Sequence, residues 1–512
     1  MAVNNKIIAK NTISLYARTF IVLVISLYLS RKILEILGEV DLGIYNVVGG
    51  VVTLIAFFIN AQTTATSRFI TYELGKESGD PKKIFSECIT IHILLATAII
   101  ILGETIGLIV VYKFTNIPSE RFEAALLVYQ FSILTLALRF LTIPVQSVII
   151  AHEKMTPYAV LSIAEVVLKL ILVLLIGRFS IDHLKLYGVA LFLISGFVFI
   201  VSVIYVHYTF NEYSFKWKWD KEDCLKIVSF SGWTLLGSSA NTATQQGVSL
   251  LFNNFVGLVA NTALGFANQV NGAVSMFVTS FATAFNPQIV KSYAAKDLHD
   301  MHTLMCRASK VSFFLAYVLA LPLLVNMDYV LGIWLGNVPK YTVEFCSLIL
   351  ICSVIDATTA IFNTSIMASG EIKGYQIAIS ISFSLDLVCS FVLLKCGLNP
   401  AFAFCSRILT RGILNMLIGM HYSKKNINFN LLYYLKYDLL PIIATIILTG
   451  LPLLALNYMP DSILKFALSV GAAIILCVLC LLFVLFNKEE RKKIISLIIN
   501  YNRMPESLAK IK

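Results

Sequence analysis

The chain is a succession of apolar stretches, each about twenty residues long, separated by short polar segments. Such stretches predict membrane-spanning helices, because a helix needs about 20 apolar residues to cross the hydrocarbon core of a bilayer. We therefore predict an all-α integral membrane protein with about fourteen transmembrane helices. The predicted spans are 12–30, 43–66, 86–111, 124–150, 157–177, 186–207, 228–252, 262–286, 309–326, 342–366, 375–395, 399–420, 434–457 and 463–486.

Two segments on either side of the middle of the chain resemble each other. Leu42–Thr53 and Leu264–Ser275 are identical at six of twelve aligned positions. Just beyond them, Phe58, Thr64, Ala65 and Ile70 match Phe277, Thr283, Ala284 and Ile289. This repeat predicts two pseudo-symmetric six-helix bundles, and membrane proteins built from such repeats usually bind their substrate between the two copies.

The repeat and the spans together predict five regions. These are an N-terminal six-helix bundle (1–210), an interfacial linker (211–227), a C-terminal six-helix bundle (228–425), two additional transmembrane helices (426–487) and a basic tail (488–512). Lys and Arg are roughly threefold more numerous in the segments on one predicted side, which by the positive-inside rule is the cytoplasmic side. Both termini and the linker are therefore predicted to be cytoplasmic.

Composition supports a membrane protein and excludes several other classes. Of 512 residues, 58% are hydrophobic and 13% charged, and the mean hydropathy is +0.83, too apolar for the interior of a soluble chain. The net charge of +11 is spread between apolar runs, which does not indicate nucleic-acid binding. The chain contains no Gly-x-x-x-x-Gly-Lys-Ser/Thr phosphate loop, His-Glu-x-x-His or Gly-x-Ser-x-Gly motif. We therefore expect no enzyme activity, cofactor or metal.

Four arginines fall at bilayer depth, where a charged side chain costs at least ~2.5–3.5 kcal/mol. Arg18 lies in the first predicted span and Arg139 in the fourth, while Arg407 and Arg411 share one face of the twelfth. The planar guanidinium suits phosphate oxygens. We therefore list all four as substrate-binding candidates, with structural ion pairing as the alternative.

Acidic residues within the predicted spans are candidates for ion coupling. Glu165 and Lys169 lie one helical turn apart and either neutralise each other or take part in coupling. Asp356 and Asp386 have no base one turn away in their own helices. Either aspartate could pair with an arginine across the bundle, or take up a proton or a sodium ion.

Amide side chains are unusually frequent in the seventh and eighth predicted spans. Asn241 and Gln245 lie one turn apart on the seventh, and Asn268 and Asn271 one turn apart on the eighth. Amides can bind sugar hydroxyls, and they can equally join helices through hydrogen bonds. Their density predicts the wall of a water-filled cavity, so these four residues complete the set of substrate-binding candidates.

Several short motifs resemble the bacterial polysaccharide-transporter family of oligosaccharide flippases, which shares a superfamily with the multidrug-and-toxin extruders and the lipid II flippase. The motifs are the segments 11–18 (NTISLYAR), 42–50 (LGIYNVVGG), 65–75 (ATSRFITYELG), 150–155 (IAHEKM) and 286–293 (NPQIVKSY). The resemblance implies a MATE-like fold, in which two bundles form a V around a central cavity and alternate their access. It also implies a cationic cavity, which would suit Arg18, Arg407 and Arg411.

By the same resemblance, the substrate would be an undecaprenyl-diphosphate-linked oligosaccharide, carried across a bacterial inner membrane for surface polysaccharide biosynthesis. The expected partners are this lipid-linked oligosaccharide, membrane lipid, a glycan polymerase and glycosyltransferases. One alternative is a cation-coupled multidrug extruder of the same fold, in which Asp356 and Asp386 would hold the substrate or the ion. A membrane enzyme such as a glycan polymerase is a third possibility, but the longest predicted outer loop is only about fifteen residues.

Overall fold

The computed structural model describes residues 5–114, 117–211, 213, 217, 219–486 and 491. All regular structure in these residues is helical, which confirms the predicted all-α fold. The basic tail predicted over 488–512 lies outside the described residues, apart from Arg491.

The first two predicted spans form one helical segment, Asn5–Gly75, that is broken at Gly38. Gly38 has φ 74° and ψ 174°, a conformation that glycine adopts readily because it lacks a Cβ. The break separates helix α1 (5–37) from helix α2 (39–75). The chain can therefore change direction here without a loop.

The remaining helices follow the predicted spans in order. They are α3 (Pro81–Lys113), α4 (Ser119–Ala151), α5 (Met155–Ile176), α6 (His183–Phe210), α7 (Lys221–Phe255), α8 (Leu258–Ala294), α9 (Leu298–Val325), α10 (Thr342–Ser369), α11 (Lys373–Lys395), α12 (Ala401–Ile427), α13 (Leu431–Leu454) and α14 (Ile463–Leu485). A short helix, Met327–Leu335, joins α9 to α10.

Ten helices of the described residues, α3–α6 and α9–α14, are long and apolar enough to cross a membrane. The other four predicted spans lie in α1, α2, α7 and α8. Helices α7 and α8 have 35 and 37 residues, enough to cross a core of about 30 Å at about 1.5 Å per residue. Their many amides lower the hydropathy, so the total of fourteen spans stays a prediction.

The helices pack as two halves. In the N-terminal half (α1–α6), α4 packs along α6 and against the α1–α2 pair, while in the C-terminal half (α7–α12), α10 packs along α8 and α9, and α11 along α7. The α1–α2 pair contacts α7 and α8 and so joins the halves. Helices α13 and α14 pack against each other and against α9. The exact domain boundaries stay a prediction.

A buried ion pair fixes α13 to the C-terminal half. Lys310 Nζ of α9 lies 3.2 Å from Asp438 Oδ1 of α13, and the two side chains are 2% and 0% exposed. Beside them, the hydroxyls of Ser309 and Tyr434 are 3.3 Å apart. Removing one partner of a buried pair leaves an uncompensated charge, so this contact specifies where α13 docks.

We call the end of the molecule where α2 ends and α7 begins the linker end, and the other the opposite end. At the opposite end Arg121 ties together the starts of three helices. Its Nε donates to Asp41 Oδ1 at 2.9 Å and its Nη1 to Asp182 Oδ2 at 2.6 Å. Asp182 also caps α6 by accepting from the backbone amides of Leu184 and Lys185. This fork holds the N-terminal half together where α2, α4 and α6 begin.

Candidate functional site

The N-terminal half contains a cluster of three bases around one acid. Glu165 Oε1 of α5 accepts from Lys169 Nζ at 2.5 Å and lies 3.8 Å from Arg139 Nη2 of α4. Arg18 of α1 also interacts electrostatically with Glu165. We call Arg18, Arg139, Glu165 and Lys169 the N-terminal basic cluster. The predicted Glu165–Lys169 pair is present, but the cluster as a whole keeps an excess of two positive charges.

Two members of this cluster have groups available to an anion. The Arg139 side chain is 54% exposed in the middle of α4. Charged side chains at bilayer depth almost always face protein or a water-filled space and not lipid. The Arg18 guanidinium lies 5.4 Å from the centre of the Tyr158 ring. Its Nε is buried and has no hydrogen-bond acceptor among the described residues. The cluster can therefore bind further acceptor oxygens.

The C-terminal half contains the predicted arginine pair. Arg407 and Arg411 line a cavity of about 20 Å³ together with Asp386, Gln245 and Asn268, which leaves room for roughly one water molecule. Asp386 is 2% exposed, and among the described residues no acceptor or donor pairs with its Oδ1. A π-helical turn, Ile408–Leu414, includes Arg411 and sets its direction.

The charges around this cavity balance. Asp356 of α10 and Asp386 of α11 both interact electrostatically with Arg407 and Arg411. Two acids thus face two bases, whereas the N-terminal basic cluster has one acid for three bases. The sequence suggested acids from other helices as partners for the arginines, and Asp356 and Asp386 are such acids. Among the described residues, neither lies within ion-pair distance of Arg407 or Arg411.

Arg411 is held by a network that links α12 to α7 and α11. Its Nη2 donates to Asn241 Oδ1, which also accepts from Gln245 Nε2 at 3.2 Å. The guanidinium lies 4.7 Å from the centre of the Phe383 ring. Asn241 and Gln245 therefore position an arginine, and Gln245 is also exposed at the cavity.

The two predicted amides of α8 have different environments. Asn268 is exposed and lines the cavity beside Arg407. Asn271 Oδ1 accepts from the Ser353 hydroxyl of α10 and from the Ser275 hydroxyl at 3.4 Å. Asn268 is thus free to contact a ligand, whereas Asn271 joins α8 to α10.

A second cavity, of about 280 Å³, lies between the halves near the linker end, and we call it the polar chamber. Eight residues of α2, α8 and α10 with hydroxyl or amide groups line its wall. They are Thr63, Thr64, Ser67, Thr71, Thr283, Asn286, Asn363 and Thr364, with Arg68 beside them. Sequence reasoning did not select the threonines and the serine among these residues, although the repeat pairs Thr64 with Thr283, and that match was a usable signal.

Contacts between the halves concentrate at the linker end. Glu153, which follows α4, accepts from Lys291 Nζ at 2.7 Å and from Gln288 Nε2 at 3.0 Å, both on α8. Within the N-terminal half, the Glu153 backbone carbonyl accepts from Asn11 Nδ2 of α1 at 2.9 Å. We call the boundary between the two halves the midline. A second contact across it is the hydrogen bond that Arg68 Nη2 of α2 donates to the Ala368 carbonyl of α10 at 3.0 Å.

These two contacts are related by the repeat. Glu153 and Gly370 stand in the turns after α4 and α10, which are equivalent helices of the two halves, and both have positive φ, 58° and 82°. In each case a polar side chain from the second helix of the other half contacts the turn: Lys291 on one side and Arg68 on the other. Contacts at corresponding turns of the two halves therefore hold the halves together at the linker end.

Comparison with known proteins assigns the chain. A model of the family described as polysaccharide biosynthesis protein matches residues 8–293, more than half of the sequence. The chain belongs to this polysaccharide biosynthesis protein family. A search of curated proteins found no match.

The fold has solved counterparts among transporters. A MATE structure in the bent conformation gives a TM-score of 0.70 at 11% identity, covering 81% of this chain and 93% of that one. A MATE structure in the straight conformation gives 0.69 at 11% identity, with coverages of 83% and 96%. A MOP superfamily transporter from Pyrococcus furiosus, described as having a binding pocket of reverse polarity, gives 0.64 at 9% identity, with coverages of 84% and 99%. The predicted family and the MATE-like fold are confirmed. The ten described helices that are long and apolar enough to cross a membrane indicate a multi-pass membrane protein.

Proposed function

We propose that this member of the polysaccharide biosynthesis protein family is a flippase for a polyprenyl-diphosphate-linked oligosaccharide. The observation that carries the proposal is the N-terminal basic cluster, with three bases around Glu165 at bilayer depth. Unbalanced positive charge there is costly unless it meets an anion. A diphosphate offers several acceptor oxygens with the geometry that arginine donors match.

The sugars and the polyprenyl tail of the proposed substrate need different surroundings from the diphosphate. Threonine, serine and asparagine side chains of the polar chamber offer hydrogen bonds to sugar hydroxyls. The polyprenyl tail stays in lipid, because no apolar groove of the transporter needs to enclose a chain already soluble in the bilayer. Around Arg407 and Arg411 the charge is balanced by Asp356 and Asp386, so we assign the diphosphate to the N-terminal basic cluster.

We assign the linker end to the cytoplasm of the bacterial inner membrane, because Lys and Arg are in excess on that side of the predicted topology. On this assignment the contacts Glu153–Lys291 and Arg68–Ala368 lie on the cytoplasmic side, as we expect for an outward-facing state. Alternating access requires these contacts to break and the opposite end to close. A multidrug extruder of cations would need an acidic cavity, which the excess of bases around Glu165 does not supply.

The test compares variants in a strain that lacks the gene. The double variant Arg139→Gln, Lys169→Gln removes the charge excess, while Lys169→Arg retains it and Arg178→Gln changes an exposed arginine near the end of α5. We expect the double variant to reach the membrane normally and to reduce surface glycan at least about tenfold, as expected for lost charge-assisted hydrogen bonds.

Quantitative membrane immunoblotting measures the inserted protein, and surface glycan is measured on intact cells. Lipid-linked repeat units should accumulate and remain inaccessible to an impermeant lectin in spheroplasts of the double variant. Wild-type glycan export by this variant, with no second flippase in the strain, would overturn the proposal.

A further inference from the structure

Another cavity lies outside the proposed transport path. It has a volume of about 720 Å³ and opens at the linker end, where the beginnings of α7 and α11 meet the ends of α2, α10 and α12. Its wall includes the aromatic side chains of Phe69, Phe230, Trp233 and Tyr422. We call it the linker-end cleft. Neither the family match nor the N-terminal basic cluster assigns it a role.

Bases outnumber acids in the linker-end cleft. Lys226, Lys373, Lys425 and Arg68 line it, against Glu222 and Glu371. Two of the lysines make cation–π contacts. Lys373 Nζ lies 5.2 Å from the centre of the Trp233 ring, and Lys425 Nζ lies 5.9 Å from the centre of the Tyr422 ring. Neither lysine has an ion pair among the described residues. Both ammonium groups are exposed and can meet an anion.

Arg68 forms the back of the cleft and is itself short of acceptors. Arg68 is only 9% exposed, and its Nε has no hydrogen-bond partner among the described residues. Its Nη2 is the atom bonded to the Ala368 carbonyl, and Arg68 also lines the polar chamber. One buried guanidinium therefore separates the cleft from the transport path.

An exposed apolar surface continues from the cleft along the membrane-facing side of α7 and α11. These two helices pack against each other, and Leu225, Leu236, Ile377 and Ile381 along them are exposed. A ligand with an anionic head and an apolar tail fits this arrangement. A free anion would leave the apolar strip unused.

We propose that the linker-end cleft binds the phosphate-bearing headgroup of a lipid in the leaflet at that end, with the lipid tail along α7 and α11. Lys373, Lys425 and Arg68 bind the phosphate, and Trp233 packs beside the glycerol or the first isoprene unit. Binding of a membrane phospholipid there is independent of the proposed function, whereas binding of the substrate rests on it. The lipid is either an ordinary anionic phospholipid or the diphosphate-linked substrate before it enters the transporter.

The test measures lipid binding to the full chain in detergent by native mass spectrometry. The probes are phosphatidylglycerol, undecaprenyl diphosphate and, as a zwitterionic control, phosphatidylethanolamine. The double variant K373Q/K425Q should lose affinity for an anionic probe by on the order of tenfold, since each lysine near a lipid phosphate contributes to binding. The matched control is K395Q, because Lys395 also lies over an aromatic ring, that of Phe391 at 5.8 Å, but at the other end of α11.

Each outcome decides the proposal. Loss of phosphatidylglycerol binding supports a site for membrane phospholipid, and loss confined to undecaprenyl diphosphate supports a site that loads the substrate. The variant W233L should weaken the same probe without changing any charge. Failure of both anionic probes to bind the wild type, equal binding of phosphatidylethanolamine, or wild-type affinities in K373Q/K425Q would overturn the proposal. Transport is not measured, so the result is independent of whether the protein is a flippase.

Discussion

Glu153 provides a direct test of how the linker end is held closed. Its carboxylate accepts from Lys291 and Gln288 across the midline, and the Glu153 and Lys291 side chains are only 13% and 20% exposed. Glu153→Gln removes the negative charge but keeps an amide of the same shape. We expect the variant to favour the state in which the linker end is open.

The size of the effect follows from the contacts. A hydrogen bond to a charged group contributes about 1.5–3 kcal/mol, and the glutamine oxygen can still accept a weaker bond. The net loss is then about 1–2 kcal/mol, which shifts the equilibrium between the two states by a factor of roughly 5–30. Arg68–Ala368 remains on the other side of the midline, so closure should be weakened and not abolished.

Distances between spin labels at Lys154 and Ala295, measured by double electron–electron resonance, report this equilibrium. Both positions are exposed near the linker end, one in each half. The exposed native thiols, Cys396 and Cys405, are replaced by serine to restrict labelling. Glu153→Gln should increase the population with the longer distance.

Two controls separate closure from general weakening. Glu73 and Lys76 form an ion pair of 2.5 Å at the same end but within α2, so Glu73→Gln should leave the distances unchanged. The exchange Glu153→Lys, Lys291→Glu should restore the wild-type distribution. If neither Glu153→Gln nor Glu153→Ala changes the distances, the ion pair does not hold the linker end closed and the reasoning is refuted.

Two further predictions concern the other side of the closure and the C-terminal cavity. Gly370→Ala should lower the melting temperature more than Gly397→Ala in a thermal unfolding assay: both glycines have positive φ, but only at Gly370 would a Cβ lie 2.7 Å from Arg68 Nη2. Equal losses would mean that backbone strain alone accounts for both, at about 1–2 kcal/mol each. Arg411→Gln should reduce the amount of membrane-inserted protein on immunoblots, because Asn241 Oδ1 loses its guanidinium donor and Arg407 alone then faces two acids. Normal insertion with reduced glycan export would instead make Arg411 a substrate contact.

The sequence predicted the helices well because length and hydropathy are local properties. Each predicted span from 86–111 onwards lies within one helix or nearly so, as 86–111 does in Pro81–Lys113. The predicted spans 12–30 and 43–66 left a gap between two helices. In the structure, Gly38 alone separates those helices. A single glycine among mixed apolar and polar residues gives no sequence pattern that marks the end of a helix.

The site was predicted as a set of residue types and not as an arrangement. The pairing of Glu165 with Lys169 followed from their spacing, but the approach of Arg139 from another helix depends on tertiary packing. The polar chamber was missed because threonine is common in membrane helices and bonds its own backbone, as Thr64 does to the Asn60 carbonyl. Only the alignment of Thr64 with Thr283 distinguished it.

The distribution of charge between the halves bears on how the proposed cycle can work. The halves are related by a repeat, yet the bases exceed the acids around Glu165 and balance them around Asp386. A diphosphate bound equally by both halves would tie them together and oppose their separation. A diphosphate bound by the N-terminal half can instead move with that half as a rigid body, while the halves part and meet at contacts such as Glu153–Lys291. On the proposed mechanism, asymmetric charge on a symmetric fold therefore lets the substrate be held firmly without blocking the change of access.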